Sequence, residues 1–348
     1  MTARLVLENG TVFDGSAFGH LENTAGEVVF TTGMTGYQET LTDPSFAGQI
    51  VTMTYPLIGN YGINSDDMES ASPKLRGFVV REKCDAPSNW RCEMDLDGFL
   101  RLHGVIGLEG VDTRKLTKIL RSQGSMRGEL IVNPDKSIQD YSEADRRLVQ
   151  SVTCKEIYTI PNSDNIYHLA VIDFGSKSNI LRELHGNGCA LTVFPAFTPA
   201  SEVLRHNPDA IFLTNGPGDP KDIPEVVENV KQLCEVKPVL GICLGHQLIG
   251  LAYGCDTAKL TFGHHGGNHP VKDLSTGRVY ITSQNHNYVV SQLNENMEVT
   301  HINVNDGTIE GIKHKTKPVM SVQFHPEASP GPVDTRFLFA DFLNAVKR

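Results

Sequence analysis

The chain lacks an uninterrupted apolar stretch near the ~18 residues that a membrane-crossing helix needs. Its opening residues, MTARLVLENG, show no basic segment followed by an apolar one of the kind that directs secretion. A cytoplasmic location away from membranes is therefore expected. Basic charge is also short, with 31 lysines and arginines against 41 aspartates and glutamates, whereas a nucleic-acid or membrane-surface role needs a basic footprint. Neither GxxxxGK[ST] nor a GxGxxG after a strand occurs, so no ATP or dinucleotide site is expected in this chain. The seven cysteines, at 84, 92, 154, 189, 234, 243 and 255, are odd in number and form no C-x-x-C pair. That argues against a disulfide framework or a zinc ribbon and leaves most of them as inert, reduced core residues.

What is present describes an ordinary globular protein: 348 residues, 39% hydrophobic and 21% charged, long enough for two domains. Residues 4–13 read as two strands around Asn9-Gly10, a strong hairpin dipeptide. β-branched runs at 26–32, 49–55 and 77–81, separated by glycine, proline and aspartate, make this half β-rich. The spacing predicts a helix over 113–122, with Asp112 as its cap and an apolar stripe of Leu116, Ile119 and Leu120. Its Arg114, Lys115, Lys118 and Arg121 read as the solvated side of that helix or as a docking face for an acidic partner. A second helix is expected over 142–152. Residues 30–49, rich in glycine and carrying Asp43-Pro44-Ser45, read as a polar loop that is either a site element or a plain connection.

Periodicity fades over 153–167, which we read as a linker between a domain of residues 1–152 and another of 168–348. Beyond it, strands at 168–174, 190–194, 210–214 and 238–242 alternate with helices at 177–185, 201–206 and 224–235. Further strands at 279–284 and 319–324 and a helix over 334–346 complete the layer. The fold class is thus α/β, with a mostly parallel central sheet flanked by helices, whose ligand sites lie at the carboxyl ends of the strands.

Three of those ends carry unusual residues. Strand 238–242 runs into Cys243, bracketed by Gly241 and Gly245. A strand that turns abruptly into a helix strains the residue at the turn and needs neighbours without Cβ atoms, so G-x-C-x-G is the cysteine form of a nucleophile elbow. The helix N-terminus just after it favours a thiolate and leaves N–H groups for an oxyanion. Strand 210–214 ends in NGPGDP, whose Gly216 and Gly218 let backbone N–H groups approach a ligand. Strand 319–324 ends in His325-Pro326-Glu327, where a carboxylate two residues on can orient the imidazole, completing a Cys-His-Glu triad. The histidine-rich run at 263–270, with His264, His265 and His269, matches no zinc spacing. We read it as a glycine-rich loop structured by histidine hydrogen bonds, with no metal.

GICLGHQL around Cys243, NGPGDP at 215–220 and FHPEASPGP at 324–332 resemble the class I, triad-type glutamine amidotransferases. FTTGMTGYQETLTDPSFAGQIV, VDTRKLTKILR, DFGSKSNILREL, FGHHGGNHPVKD and SQNH resemble the small, glutamine-hydrolysing chains of carbamoyl-phosphate synthases in particular, over nearly the whole length. The resemblance implies a small-chain N-terminal domain followed by a class I amidotransferase domain. It makes Cys243 the nucleophile, His325 the base and acid, and Glu327 its orienter. Backbone N–H groups of Gly216, Gly218 and Leu244 would hold the oxyanion. Ser45, Gln247, Asn285, Asn287 and Tyr288 would hold the glutamine head group. Asparagine stands at 287 where the family usually has glycine, and its tolerance of positive φ would let a backbone contact persist. The resemblance also implies a γ-glutamyl thioester, a large partner chain that consumes the ammonia with ATP and magnesium, and a place in arginine and pyrimidine biosynthesis. Two rival readings are an amidotransferase subunit of another synthase, such as those for anthranilate, GMP or CTP, and a non-catalytic stabilising subunit. The first leaves residues 1–150 unexplained, and the second sits poorly with an intact triad.

Overall fold

The computed structural model describes residues 1–346. These divide into two compact units, one of residues 1–146 with 261–266, the other of residues 147–260 with 267 onward.

The first unit is a closed barrel of seven strands in the order Thr2–Leu7, Val12–Gly19, Ile106–Glu109, Gly77–Val79, Gln49–Met53, Thr24–Thr31, Met126–Ile131. Period-two alternation drives it: Ala3, Leu5 and Leu7 are buried while Thr2 and Arg4 face outward. The Asn9-Gly10 turn forms as the sequence predicts, with Gly10 at φ 82 and the Gly10 N–H donating to the Leu7 carbonyl at 2.8 Å. Helix Thr113–Gln123 is capped by Asp112, whose Oδ1 accepts from the Lys115 N–H at 2.9 Å, and it buries Leu116 and Leu120. Its four basic residues are exposed.

Residues 30–49 depart from a plain loop. Helix Tyr37–Thr42 and a 3-10 turn, Pro44–Phe46, lie within them, burying Tyr37, Leu41 and Phe46. Six helical residues are too few for a 3.6-residue pattern to stand out. The helix expected over 142–152 is likewise corrected to a 3-10 turn, Ala144–Arg146, and a five-residue helix, Leu148–Val152. Only Val149 of those two elements is buried, so no apolar stripe supports a longer helix.

The second unit is built on a ten-stranded sheet. Its five central strands, Cys189–Pro195, Tyr167–Asp173, Ala210–Leu213, Val239–Ile242 and Val319–Val322, are parallel. Ala210–Leu213 and Val239–Ile242 are buried at every residue, as strands covered on both faces must be, which is why they read as short continuous apolar runs. Two hydrophobic clusters cover them. One includes Ile211, Leu248 and Val230, the other Phe212, Phe339 and Leu184.

Strands on the Val319–Val322 side run antiparallel, through Ile309–His314 and Met297–Asn303 to the long pair Asp256–Asp273 and Val279–Gln292. The histidine-rich run is therefore strand, not loop. Its glycines and histidines give no alternation to read, and the extended pairing decides its conformation. Within the stretch read as linker, Tyr158–Ile160 forms an edge strand against Cys189–Pro195. Among the described residues no helix is long and apolar enough to cross a membrane.

Candidate active site

Four parallel strands end on one edge of the second unit, and each hands a polar residue to the same place. Val239–Ile242 delivers Cys243 at φ 54 and ψ −105, a conformation that costs a non-glycine residue on the order of 1–3 kcal/mol. The flanking glycines permit it. A Cβ on Gly245 would stand 2.4 Å from the Leu213 carbonyl oxygen, and one on Gly241 would stand 2.9 Å from the Gly245 carbonyl carbon. The Gly245 N–H donates to the Thr214 carbonyl at 3.0 Å, tying the elbow to the neighbouring strand end.

The close packing at the elbow gives a first expected outcome. Gly245→Ala should lower stability by about 3 kcal/mol, as forced overpacking does, measured as a drop in the urea midpoint. Gly186→Ala, where a Cβ meets nothing within 4 Å, should move it by under about 0.5 kcal/mol.

Val319–Val322 leads to His325 and Glu327, both buried, with Nδ1 of His325 2.6 Å from Oε1 of Glu327. The His325 N–H donates to the Ser283 carbonyl at 2.8 Å, which fastens the histidine to strand Val279–Gln292. Burial alone would push the imidazole toward neutrality, but the Glu327 carboxylate, Cys243 and its hydrogen bonds outweigh it and hold the pKa well above its ordinary value. Glu327 is displaced the other way: burial raises it, and the charges of Lys177 and His325 together bring it below the usual carboxylate range. The two shifts favour an imidazolium–carboxylate pair. Among the described residues Nε2 of His325 has no hydrogen-bond partner, and the Cys243 thiol sits 3.7 Å from the Asn285 carbonyl oxygen. Sulfur and ring thus lie near enough to interact electrostatically.

The fourth strand end was not recognised as part of the site from sequence. Tyr167–Asp173 runs through Phe174 to Lys177, which is 2% exposed. Its Nζ lies 3.1 Å from Oε1 of Glu327 and also donates to the Ala328 carbonyl. The Lys177 N–H donates to Oδ1 of Asn215 at 3.0 Å, and Nδ2 of Asn179 donates to the Glu327 carbonyl at 2.5 Å. The available signal was a lysine just past the carboxyl end of a buried strand, in DFGSKSN.

Around the sulfur, Gly216 packs where a Cβ would stand 2.4 Å from the Phe174 carbonyl oxygen, and Gly218 has φ 91. Leu244 opens helix Leu244–Ala252, where a first-turn N–H has no intrahelical acceptor. Gln247, on the same helix, donates from Nε2 to the Tyr288 carbonyl at 2.8 Å and to Oε1 of Gln323 at 3.1 Å. Asn285, Asn287 and Tyr288 lie on Val279–Gln292. Asn287 is absent from the positive-φ residues, so the left-handed tolerance expected of it is not used; the strand keeps it extended. Ser45 belongs to the other unit, buried on Pro44–Phe46, with its N–H donating to Oδ1 of Asp43 at 2.9 Å.

Comparison with known proteins shows the family. The family model for the carbamoyl-phosphate synthase small chain, CPSase domain, matches residues 5–130, and that for class-I glutamine amidotransferases matches residues 170–345. The chain is 56% identical to the carbamoyl phosphate synthase small chain of Clostridium perfringens, over 99% of both proteins. It is 52% identical to the pyrimidine-specific small chain of Bacillus subtilis, covering all of this chain and 96% of that one. With the small chain of Bacillus caldolyticus the identity is 51%, over 100% and 97%. A chain matched end to end in this way, with its class-I amidotransferase domain in the second half, belongs to the carbamoyl-phosphate synthase small-chain family.

Proposed function

We propose that the chain hydrolyses glutamine through Cys243, His325 and Glu327 and passes the ammonia to a large partner chain for carbamoyl phosphate synthesis, in arginine and pyrimidine biosynthesis. The observation that carries this reading is the meeting of a strained, glycine-flanked cysteine with a buried, hydrogen-bonded His325–Glu327 pair at neighbouring strand ends.

The Cys243 thiolate attacks the side-chain amide carbon of glutamine, and the carbonyl electrons move onto oxygen. The N–H groups of Leu244 and the 216–218 loop receive that oxyanion. Collapse breaks the C–N bond while imidazolium His325 gives its proton to the departing nitrogen, leaving ammonia and a γ-glutamyl thioester. Water then attacks the thioester, losing a proton to His325, and glutamate leaves the restored thiolate. Glu327 keeps the imidazole in the tautomer and charge state that both steps need. Gln247, Asn285, Asn287 and Tyr288 are proposed to hold the head group; Ser45 carries its proposed contact from the sequence resemblance alone. ATP and magnesium would act on the partner chain.

Labelling tests this. A glutamine analogue with an electrophilic carbon in place of the amide should modify Cys243 at neutral pH and spare Cys154, Cys189 and Cys234, as read by peptide mass spectrometry. Burial pushes those three thiols up to about 12, so they stay protonated and unreactive even at pH 9. Modification spread over Cys154, Cys189 and Cys234, or none at Cys243, would overturn the glutaminase reading.

A further inference from the structure

We infer that Gln323 is a positioning residue that fixes the polarity of the Gln247 amide and so sets the site's demand for a ligand carrying a hydrogen-bond donor, the α-ammonium of an α-amino acid. The inference rests on the glutaminase reading, in which Gln247 meets the glutamine head group.

The polarity follows from hydrogen-bond logic. A backbone carbonyl can only accept, so the Gln247 atom 2.8 Å from the Tyr288 oxygen must be Nε2. The side-chain atom of Gln323 that lies 3.1 Å from the same nitrogen must then be its oxygen. A primary amide has two N–H donors, and Tyr288 and Gln323 use both. Only Oε1 of Gln247 is left for a ligand, and it takes no hydrogen bond from the described residues. Gln247 therefore meets substrate as an acceptor. Without the Gln323 oxygen one N–H is released, and the amide offers a donor as readily as an acceptor.

Gln323 is unsuited to a purely packing role. It is fully buried, and its own Nε2 meets no acceptor among the described residues, a state that penalises folding. An apolar side chain of the same length would fill the space without that orphan donor. What glutamine supplies is the acceptor on the other branch of its amide. Its backbone is fixed to hold that oxygen in place, with its N–H donating to the Glu310 carbonyl at 2.9 Å, two residues before His325.

The full chain with Gln323→Met tests the assignment. We compare hydrolysis of glutamine with that of glutaramate, the same amide without the α-ammonium. KM for glutamine should rise about tenfold with kcat within about twofold, and the preference for glutamine over glutaramate should shrink about tenfold, the scale of one buried hydrogen bond. In a Gln247→Met background the Gln323 change should add nothing further. Gln323→Glu, which keeps an acceptor, should retain most of the preference and supplies a reading should the methionine variant fold poorly. An unchanged preference in Gln323→Met with iodoacetamide still alkylating Cys243 at the wild-type rate, loss of preference in a folded Gln323→Glu, or additive effects in the double variant would each overturn the Gln323 assignment alone. A wild-type chain that releases no ammonia from glutamine overturns the glutaminase reading and this inference with it.

Discussion

Cys243→Ser is expected to lower ammonia release from glutamine by at least about 10³-fold, the scale on which losing a nucleophile acts. The substitution changes one atom and leaves the strained elbow intact, since the neighbours that permit φ 54 are Gly241 and Gly245 rather than the sulfur. What changes is the chemistry. A serine hydroxyl in this geometry has a proton to lose before it attacks, and His325 is held as imidazolium by its buried carboxylate, so it is a poor acceptor for that proton. Under the proposed mechanism, a site that sets its nucleophile beside a charged imidazole is thus mistuned for an alcohol. Glutamine binding should survive, because the groups proposed to hold the head group remain. Synthesis of carbamoyl phosphate by the complex from added ammonium salt should also persist, since the sulfur takes no part once ammonia is free. Steady-state ammonia release, with glutamine binding measured separately, checks all of this. Normal hydrolysis by the serine protein would sink the mechanism.

The sequence made the candidate site's strand ends legible because buried parallel strands announce themselves as short apolar runs, and a Cys between two glycines or a His-Pro-Glu stands out beyond such a run. Lys177 did not stand out. A lysine in a loop reads as solvent-facing, and nothing local reveals that Tyr167–Asp173 lies between Cys189–Pro195 and Ala210–Leu213, which brings Lys177 to Glu327, 150 residues away. The long pair Asp256–Asp273 and Val279–Gln292 was missed for a related reason. Its glycines and histidines break the alternation that marks a half-buried strand, and pairing along the sheet edge supplies the order instead. The short helix Tyr37–Thr42 was hidden by its length. Local chemistry was readable wherever one residue's type and its immediate neighbours sufficed, and unreadable wherever partners came from distant strands.

Lys177→Met is the second change with a large expected effect, and it separates charge from packing. Lys177 and Glu327 are both almost fully buried, and the lysine approaches Oε1, the oxygen that also holds His325. Oε2 of Glu327 has no hydrogen-bond partner among the described residues, so no spare donor there stands ready to replace the ammonium. Removing the lysine leaves the Glu327 carboxylate with His325 as its remaining charged partner, and losing one partner of a buried ion pair costs on the order of 3 kcal/mol. The acid side of the pH profile gives the sign. Burial raises Glu327, and the Lys177 charge is the largest influence holding it below its ordinary 4.5; a depressed carboxylate contributes stability that is present above that value and lost as pH falls through the folded pKa. Without the lysine the folded pKa rises. The wild type should therefore exceed Lys177→Met by its full margin at pH 7, and the margin should narrow as pH falls below about 4.5, read by urea unfolding at fixed pH. Catalysis should fall too, since a Glu327 that takes up a proton no longer holds His325 charged. Lys177→Met with Glu327→Gln removes both charges together and should recover a large part of the lost stability while remaining inactive. A double variant whose loss equals the sum of the losses of Lys177→Met and Glu327→Gln would show that Lys177 serves packing rather than the charge of Glu327.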